Sequence, residues 1–230
     1  MSSTSKPVLR IDWATHEAAK FACENWHYSG CLPSFKLVKV GAWENGVFIG
    51  VVIFSMGAAP QAHCPYKILP RQICELTRIA LCKHKSAVSR IVAIALRFLK
   101  QQSPGLRLVV SYADPEQSHH GGVYQAGGWI YEGVTKPCEQ FEYVHTGERV
   151  HSKTIKTGRR GYATKLKDKG IIRSVKLVKY KYLMPLDEET RIKIAPLAKP
   201  NPKRVKKQDS EHPSELGGAV PTDTIQLHNK

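Results

Sequence analysis

The chain has 230 residues, and its 35 Lys and Arg outnumber 19 Asp and Glu, so its formal net charge is +16. This length predicts one domain with appendages, and no apolar run approaches the roughly 18 residues that a membrane span needs. Lys and Arg concentrate between Lys153 and Lys207. That excess favours binding to nucleic acid over a membrane surface, because no amphipathic apolar face accompanies the charge. A solvated basic tail is the alternative.

The spacing of the cysteines and the polarity of the first ten residues both predict a cytoplasmic protein. The six cysteines include no C-x-x-C pair, which argues against a zinc knuckle and is consistent with a reducing cytosol. The stretch Met1–Arg10 has no apolar run, so we expect no signal peptide and a cytoplasmic protein.

The first half of the chain predicts a helix, a hairpin, a strand and a second helix. Residues 11–25 can be helical, and the apolar runs 35–43 and 47–55 flank Glu44-Asn45-Gly46, a strong hairpin signal. Residues 56–72 contain three prolines and predict a loop. Residues 73–81 predict a strand with Cys74, Leu76, Arg78 and Ala80 on one face. Apolar positions at helical spacing predict a helix over 86–102.

The second half is centred on Ser111–Gly133. The run 108–110 is typical of a buried strand, Pro115 ends it, and a short helix over 123–126 precedes a strand that starts at Trp129. A short strand is expected over 141–145, and one closing strand over 175–186. Residues 196–230, rich in Pro, Lys, Ser and Gly, predict disorder.

These elements predict an α/β fold with a mixed sheet flanked by helices. We divide the chain into a catalytic domain over 1–187, which includes a basic nucleic-acid-binding segment over 147–176, and a basic disordered tail over 188–230. The segment VYQAGGWIYEG resembles the short helix and following strand of the GNAT acyltransferases.

Four motifs taken together resemble a second, narrower family over about residues 20–187. They are His27-Tyr28-Ser29, Glu75-Leu76-Thr77-Arg78, Ser111-Tyr112-Ala113-Asp114, and Tyr124-Gln125-Ala126 before Gly128-Trp129. In this order and spacing they are similar to the Mom family of phage DNA-modification proteins.

The resemblance implies a particular reaction. Mom proteins convert the exocyclic N6 of adenine in bacteriophage DNA to a carbamoylmethyl (glycinamide) derivative, which protects the DNA from restriction enzymes. The positions that it marks as the active site are His27, Tyr28, Arg78, Asp114 and Tyr124. It also implies an iron ion on His27, Tyr28 and Asp114, whose side chains are reasonable ligands of Fe(III).

The residues themselves suggest roles and leave alternatives open. Asp114 follows a strand, where a carboxylate can accept the N6 proton, or it caps the next turn. Tyr124 occupies a position similar to that of the tyrosine that protonates the leaving group in GNAT enzymes. The alternative is that it packs in the core. Arg78 could hold a carboxyl or phosphate group, or pair with Glu75 or Asp114. For His27 and Tyr28 three roles are open: they could shape the base pocket, bind a metal ion, or simply end a helix.

The adenine must be flipped out of the duplex to be modified, since N6 lies within the base stack. We therefore expect aromatic side chains that stack on the flipped base. Tyr28, Tyr112 and Trp129 are available for stacking, and Ser111 is a further candidate for substrate binding. Lys and Arg of the basic segment are expected to contact phosphates without much sequence choice. These candidates are Lys153, Lys156, Arg159, Arg160, Lys165, Lys167 and Lys169.

The donor has two candidates. GNAT enzymes that use acetyl-CoA carry an R/Q-x-x-G-x-G/A loop whose amides hold the pyrophosphate, but here residues 82–88 read CKHKSAV without a glycine. Lys83, Lys85, Ser86 and the following helix could still attract a phosphate. A glycyl donor such as glycyl-tRNA fits the product better, and the positive charge suits tRNA as well as double-stranded DNA.

Two other functions compete with this one. The first is an ordinary GNAT N-acyltransferase acting on a protein or a small amine, and the missing glycines and the basic segment count against it. The second is a nucleic-acid-binding protein without catalysis, which explains the charge but not the polar cluster at the sheet edge.

Overall fold

The computed structural model describes residues 6–34, 36–56, 61–147, 149–151 and 166–203. Two sheets and four helices organise this part of the chain. The large sheet contains β1 (Leu9–Trp13), β2 (Leu37–Glu44), β3 (Val47–Ser55), β4 (Ile73–Leu81), β5 (Leu108–Ala113), β6 (Ile130–Val134) and β10 (Tyr180–Pro185). The small sheet contains β7 (Cys138–Tyr143), β8 (Arg149–His151) and β9 (Ile172–Leu177). The helices are α1 (His16–Trp26), α2 (Val88–Gln102), α3 (Gly122–Ala126) and α4 (Glu188–Ile194).

The large sheet is mixed, which confirms the predicted GNAT-like α/β fold. Its strand order is β1-β2-β3-β4-β5-β10-β6, and among the described strand pairs only β4 and β5 run parallel. Their pairing begins at Ile73↔Leu108 and ends at Leu76↔Ser111, although β4 continues to Leu81 and β5 to Ala113. Beyond that last pair the two strands are not bonded to each other, which leaves a split in the middle of the sheet.

Helices cover both faces of this sheet, because each presents one apolar side. The buried side of α2, which includes Ile91, Ala95 and Leu99, packs against one face. The small residues Ala19, Ala22 and Cys23 let α1 approach the other face. Close-packed interiors of this kind fix the strands on either side of the split. Within the described residues, no helix combines the length and the hydropathy that crossing a bilayer requires.

The hairpin at Asn45-Gly46 is confirmed, and its backbone explains the residue choice. Asn45 has φ 51° and Gly46 has φ 83°, which are the two left-handed positions of a type I′ turn. Asn45 is also bonded to Val8 through both its backbone N–H and its side-chain oxygen. The end of β2 is therefore held firmly beside β1.

The helix predicted over residues 11–25 is wrong in its first residues. Leu9–Trp13 is an edge strand paired with β2, in which Leu9 and Ile11 face the core while Arg10 and Asp12 form an ion pair at 3.2 Å. The apolar residues there alternate with a period of two, which is typical of a strand, and the segment does not form the start of the helix. Helix α1 starts only after Thr15, whose hydroxyl accepts a hydrogen bond from the Ala18 amide.

The C-terminal third also differs from expectation. The single strand expected over 175–186 is two strands, β9 in the small sheet and β10 in the large one. Past the predicted boundary at residue 187, α4 follows and buries Ile194 in a core cluster of the sheet. Asp187 caps α4 and pairs with Arg107 at 2.9 Å. Residues 204–230, the rest of the expected tail, lie outside the described part.

Candidate active site

A cavity of about 690 Å³ lies at the split between β4 and β5. Its wall is built from the end of α1, the second half of β4, the β4–α2 turn, the end of β5, the loop after β5 and the start of α3. Open sheets commonly bind ligands outside the carboxyl ends of their strands, where neighbouring strands part. His27, Tyr28, Arg78, Tyr112 and Tyr124 all line this cavity.

Arg78 reaches the cavity because β4 carries a bulge. The partner of Ile53 is Arg78, whereas the next residue, Phe54, pairs with Leu76. The extra residue on β4, Thr77, reverses the alternation, so Arg78 and Leu76 do not share a face as predicted. β-Bulges often redirect a side chain beside an active site. Arg78 Nη1 donates to the Thr77 carbonyl at 2.8 Å, which fixes one edge of the guanidinium.

His27 follows the last residue of α1 and is held as a neutral ring. Its Nδ1 accepts a hydrogen bond from the Ser29 amide at 3.1 Å and lies 2.8 Å from Ser29 Oγ. Burial, the charge of Arg78 and the neighbouring His119 lower the pKa of His27 to about 4. Because Nδ1 accepts, the proton of the neutral ring is on Nε2. His27 is therefore a hydrogen-bond donor at neutral pH.

Tyr28 stacks on this imidazole, with ring centroids 4.3 Å apart and planes inclined by 30°. The ring of His119 approaches its other side at 5.9 Å. Tyr28 is nevertheless 55% exposed. An exposed aromatic ring at the mouth of a cavity is a surface on which a planar group can stack.

Tyr124 is buried at the bottom of the cavity, between the rings of Trp129 and Tyr182. Its hydroxyl oxygen lies 2.8 Å from Ser111 Oγ. The single proton of Ser111 goes to the Leu76 carbonyl at 2.9 Å, because a carbonyl can only accept, so the Tyr124 hydroxyl donates to Ser111. Burial raises the pKa of Tyr124 to about 12, and the hydrogen bond with Ser111 opposes that increase. The phenol therefore keeps its proton at neutral pH and can give it to a group that acquires negative charge.

Ser111 and Trp129 do not line the cavity, so we revise their predicted contact with substrate. Ser111 is completely buried, and its hydroxyl contacts Tyr124 and Leu76 instead. Trp129 is 5% exposed and packs on the Tyr124 ring. Both residues hold the phenol in place. Tyr112 does line the cavity, and burial raises its pKa to about 12.

Asp114 caps the turn after β5, which is the alternative that the sequence left open. Its Oδ1 accepts from the Glu116 amide at 3.1 Å, and its Oδ2 lies 3.7 Å from Lys179 Nζ. The carboxylate is not part of the cavity wall. It acts on the site at a distance, since its charge contributes, after burial, to a raised pKa of Tyr28.

His84, on the β4–α2 turn, is a site residue that the sequence did not single out. Its Nδ1 donates to the Cys82 carbonyl at 2.7 Å, since a carbonyl can only accept. His84 lines the cavity. His119, in the loop after β5, also lines it. No spacing rule in the sequence brings either histidine to the site.

The β4–α2 turn is closed by Glu44. Glu44 Oε2 accepts from the Lys85 amide at 2.9 Å, and Oε1 accepts from the Ser86 amide at 2.8 Å. Hydrogen bonding from Ser86 and from the Lys85 amide lowers the pKa of Glu44. The turn was expected to attract a phosphate through Lys83, Lys85 and Ser86, but two of its amides already hold this carboxylate.

The expected iron site does not fit the geometry. His27 Nδ1 is occupied by the Ser29 amide, and Nε2 carries the proton, so neither nitrogen offers a lone pair without rearrangement. Asp114 is engaged with Glu116 and Lys179, and the pKa of Tyr28 is raised, which disfavours a phenolate. Among the described side chains, no three His, Cys, Asp or Glu come together to hold a metal ion.

The expected phosphate-binding residues are only partly described. Lys167 pairs with Glu139 at 2.9 Å and lies over the Phe141 ring, which commits it to the small sheet. Lys169 is exposed. The remaining candidates lie outside the described residues: Lys153, Lys156, Arg159, Arg160 and Lys165.

The described part of the chain is a mixed α/β sheet with a cavity at its split. Solved structures resemble it at low identity. A ribosomal-protein-S5-alanine acetyltransferase from Vibrio fischeri matches with 10% identity and a TM-score of 0.46, over 80% of this chain and 98% of that one. A GNAT-family acetyltransferase from Streptococcus pneumoniae matches with 13% identity and a TM-score of 0.45, over 78% of this chain and 100% of that one. A Bacillus subtilis acetyltransferase in complex with CoA matches with 12% identity and a TM-score of 0.42, over 79% and 100%.

The comparison with protein families gives a narrower assignment. The model of the Mom protein family matches residues 8–203, so the chain belongs to the Mom family, as its motifs indicated. No curated protein matches the sequence.

Proposed function

We propose that this protein is a DNA-modifying enzyme that converts adenine N6 to its carbamoylmethyl derivative by acyl transfer to a flipped base. One observation carries the proposal. A single cavity in a Mom-family chain brings together a neutral histidine, an exposed stacking tyrosine, an arginine and a buried phenol from separate elements. These are His27, Tyr28, Arg78 and Tyr124.

The cavity suits an extruded nucleotide. Its volume of about 690 Å³ is in the range of small-molecule sites and exceeds what a purine alone needs. Base flipping costs a few kcal/mol, which stacking in the pocket helps to offset. Tyr28 offers the stacking surface, and the guanidinium of Arg78 can bind a phosphate oxygen or a carbonyl group. His27 Nε2–H can donate to a ring nitrogen of adenine.

The first chemical step forms an amide at N6. The N6 lone pair attacks the carbonyl carbon of an activated glycyl ester, N6 loses a proton, and the ester oxygen leaves with a proton. Tyr124 supplies the leaving-group proton, and Ser111 can then donate to the resulting phenolate. His84 lines the cavity and is a candidate acceptor for the N6 proton, whereas Asp114 is engaged with the Glu116 amide and Lys179.

The second step is an isomerisation that needs no further reagent. The free glycyl amine attacks C6 and forms a five-membered ring. Cleavage of the original C6–N6 bond then releases the amide nitrogen, which takes up the proton that the amine loses. The product is C6–NH–CH2–CO–NH2, the carbamoylmethyl derivative. Glycyl-tRNA is the donor that we propose, since it carries an activated glycyl ester, and the net charge of +16 suits both tRNA and double-stranded DNA.

Nucleoside mass spectrometry tests the proposal. DNA from bacteria expressing the protein should contain carbamoylmethyladenine and resist restriction enzymes, as phage DNA would in an infected cell. Unmodified adenine throughout would contradict the proposal and favour an N-acyltransferase acting on another amine.

Donor identity needs a separate experiment. The purified protein is incubated with DNA and either glycine-labelled glycyl-tRNA or labelled acetyl-CoA. Label should enter DNA from glycyl-tRNA. Label arriving only from acetyl-CoA would contradict the glycyl donor while leaving acyl transfer intact.

A further inference from the structure

Two lysines, Lys179 and Lys181, lie two residues apart at the start of β10, and their ammonium groups are used differently. Lys181 Nζ lies 3.0 Å from Glu132 Oε2 and over the ring of Tyr66, and its side chain is 21% exposed. Lys179 forms one ion pair among the described residues, with Nζ 3.7 Å from Asp114 Oδ2, and its side chain is 38% exposed. That distance is longer than a hydrogen bond, so the N–H groups of Lys179 are available to a ligand.

The backbone of Lys179 is fixed from two sides. Its N–H donates to Thr135 Oγ1 at 2.9 Å, and its carbonyl accepts from the Thr135 N–H at 2.9 Å. The next residue, Tyr180, pairs with Ala113 of β5. Only the side chain of Lys179 can therefore move, which limits the conformational freedom that it loses when it binds a ligand.

Lys179 lies outside the rim of the cavity rather than in its wall. Ala113 lines the cavity, and the loop that Asp114 caps supplies further lining residues, whereas Lys179 itself does not line it. Behind burial and two larger charge effects, the charge of Lys179 also lowers the pKa of His27. Behind burial, the charge of Asp114 raises the pKa of Tyr28. The pair formed by Lys179 and Asp114 is thus near the mouth, on the side of His27 and Tyr28.

This is where a flipped nucleotide needs a cation. A base that stacks on Tyr28 leaves its charged phosphate at the mouth, and Lys and Arg are the usual partners of DNA phosphates. The carboxylate of Asp114 opposes a phosphate in charge, but its Oδ1 already accepts from the Glu116 amide. An ammonium group has three N–H donors, so Lys179 can bind a phosphate oxygen while it stays near Asp114.

We propose that Lys179 is a substrate-binding residue that holds the phosphate next to the flipped adenine. The inference rests on the proposed function and deepens it, because it assigns a contact that binds the nucleotide through its backbone. Contacts of this kind carry no sequence choice. Lys179 lies beyond the basic segment over 147–176, in which the sequence predicted the phosphate contacts.

The test compares three small ligands on the full chain by titration calorimetry: deoxyadenosine and its 5′- and 3′-monophosphates. Lys179→Met removes the ammonium group and keeps the length of the side chain, and Lys179→Arg keeps a cation. Lys20→Met is the charge-matched control, because Lys20 is an exposed lysine of α1 that lies 3.9 Å from Glu24 and does not line the cavity. Thermal melting confirms that each variant is folded.

We expect the wild type, Lys20→Met and Lys179→Arg to bind one of the two monophosphates at least tenfold more tightly than deoxyadenosine, because a hydrogen bond between charged groups is strong. The preferred isomer identifies the phosphate. In Lys179→Met this preference should disappear, while the affinity for deoxyadenosine stays unchanged. An unchanged preference in Lys179→Met would overturn the inference, and so would a wild type that binds all three ligands equally.

Duplex DNA provides a second measurement. The slope of log affinity against log salt concentration should become shallower by about 0.9 in Lys179→Met, which is the value for one lost phosphate contact, and should stay unchanged in Lys20→Met. Equal slopes in the wild type and Lys179→Met would also overturn the inference. Both measurements are independent of the nucleoside assay, which alone decides whether adenine is modified.

Discussion

The two sides of the cavity differ in how their polar groups are used. On the α1 side, His27 offers an N–H and Tyr28 an exposed ring, and Arg78 Nη2 has no partner among the described residues. At the α2 turn, Glu44 satisfies the amides of Lys85 and Ser86. The first side holds groups that a ligand can use, whereas two amides of the second are bonded within the protein and the Ser86 hydroxyl there is buried without a hydrogen-bond partner among the described residues.

This difference indicates where a ligand is more readily accommodated. Desolvated polar groups without partners cost free energy, so a protein keeps them where a ligand supplies the partner. Four variants test the contrast between the two sides.

Replacing Tyr124 by Phe should have the largest effect. We expect adenine modification to fall by about 10²–10⁴-fold, because a positioned general acid contributes that much. The measurement is modified nucleoside per minute by mass spectrometry. Tyr131→Phe is the matched control, since Tyr131 is also a buried tyrosine of the same core but does not line the cavity. Similar losses in both variants would show that the hydroxyl of Tyr124 has no special role.

Replacing Arg78 by Lys keeps the charge but removes the planar guanidinium. We expect kcat/KM for DNA modification to fall by about 100-fold, because a lysine cannot reproduce paired hydrogen bonds to a phosphate or carbonyl group. Arg71→Lys, an exposed change outside this cavity, should keep wild-type kinetics. An Arg78→Lys variant with unchanged kcat/KM would show that charge alone suffices on the α1 side.

Replacing Ser111 by Ala should reduce the rate by about tenfold. The pKa of Tyr124 should rise further, because the hydrogen bond with Ser111 would no longer oppose the effect of burial, and a weaker acid transfers its proton more slowly. The expected signature is a lower kcat with an unchanged KM for DNA. A raised KM with an unchanged kcat would instead support direct contact between Ser111 and substrate.

The pH dependence of stability should reveal His27. Its pKa is about 4 in the folded protein and near 6.5 when unfolded. The unfolded chain therefore binds this proton first, and the free energy of unfolding should fall as the pH decreases from 6.5 toward 4. At pH 5 the loss is up to about 2 kcal/mol.

His27→Gln keeps an acceptor for the Ser29 amide and removes the titration. Urea unfolding at pH 7, 5.5 and 4.5 should show a smaller loss for this variant than for the wild type. Identical losses would mean that His27 is as easily protonated in the folded protein as in the unfolded chain.

Local patterns predicted the parts of the fold that depend on neighbouring residues. The Asn45-Gly46 turn and the apolar spacing of α2 are of this kind, and both are observed. The five-residue alternation of β1 is too short to stand out beside a helix, and α4 has charged residues in most of its positions. Its burial of Ile194 becomes visible only in the packed domain.

Site residues that belong to a local sequence motif were predicted. Residues whose role depends on contacts between distant elements were not. The placement of His27, Tyr28, Arg78 and Tyr124 in one cavity agrees with the prediction, although their roles are still proposals. Glu44 could not be found because its partners lie 41 and 42 residues away. The bulge that turns Arg78 depends on register with β3, which no periodicity in β4 encodes.

Ser111 belongs both to the last hydrogen-bonded pair between β4 and β5 and to the contact that holds the phenol of Tyr124. A change in the angle at which the two strands separate would therefore also move the Tyr124 hydroxyl, the proposed proton donor. Substitutions in the apolar layer beneath α2 are expected to change the rate by changing that angle. The divergence of two strands and the position of one hydroxyl group are coupled through Ser111.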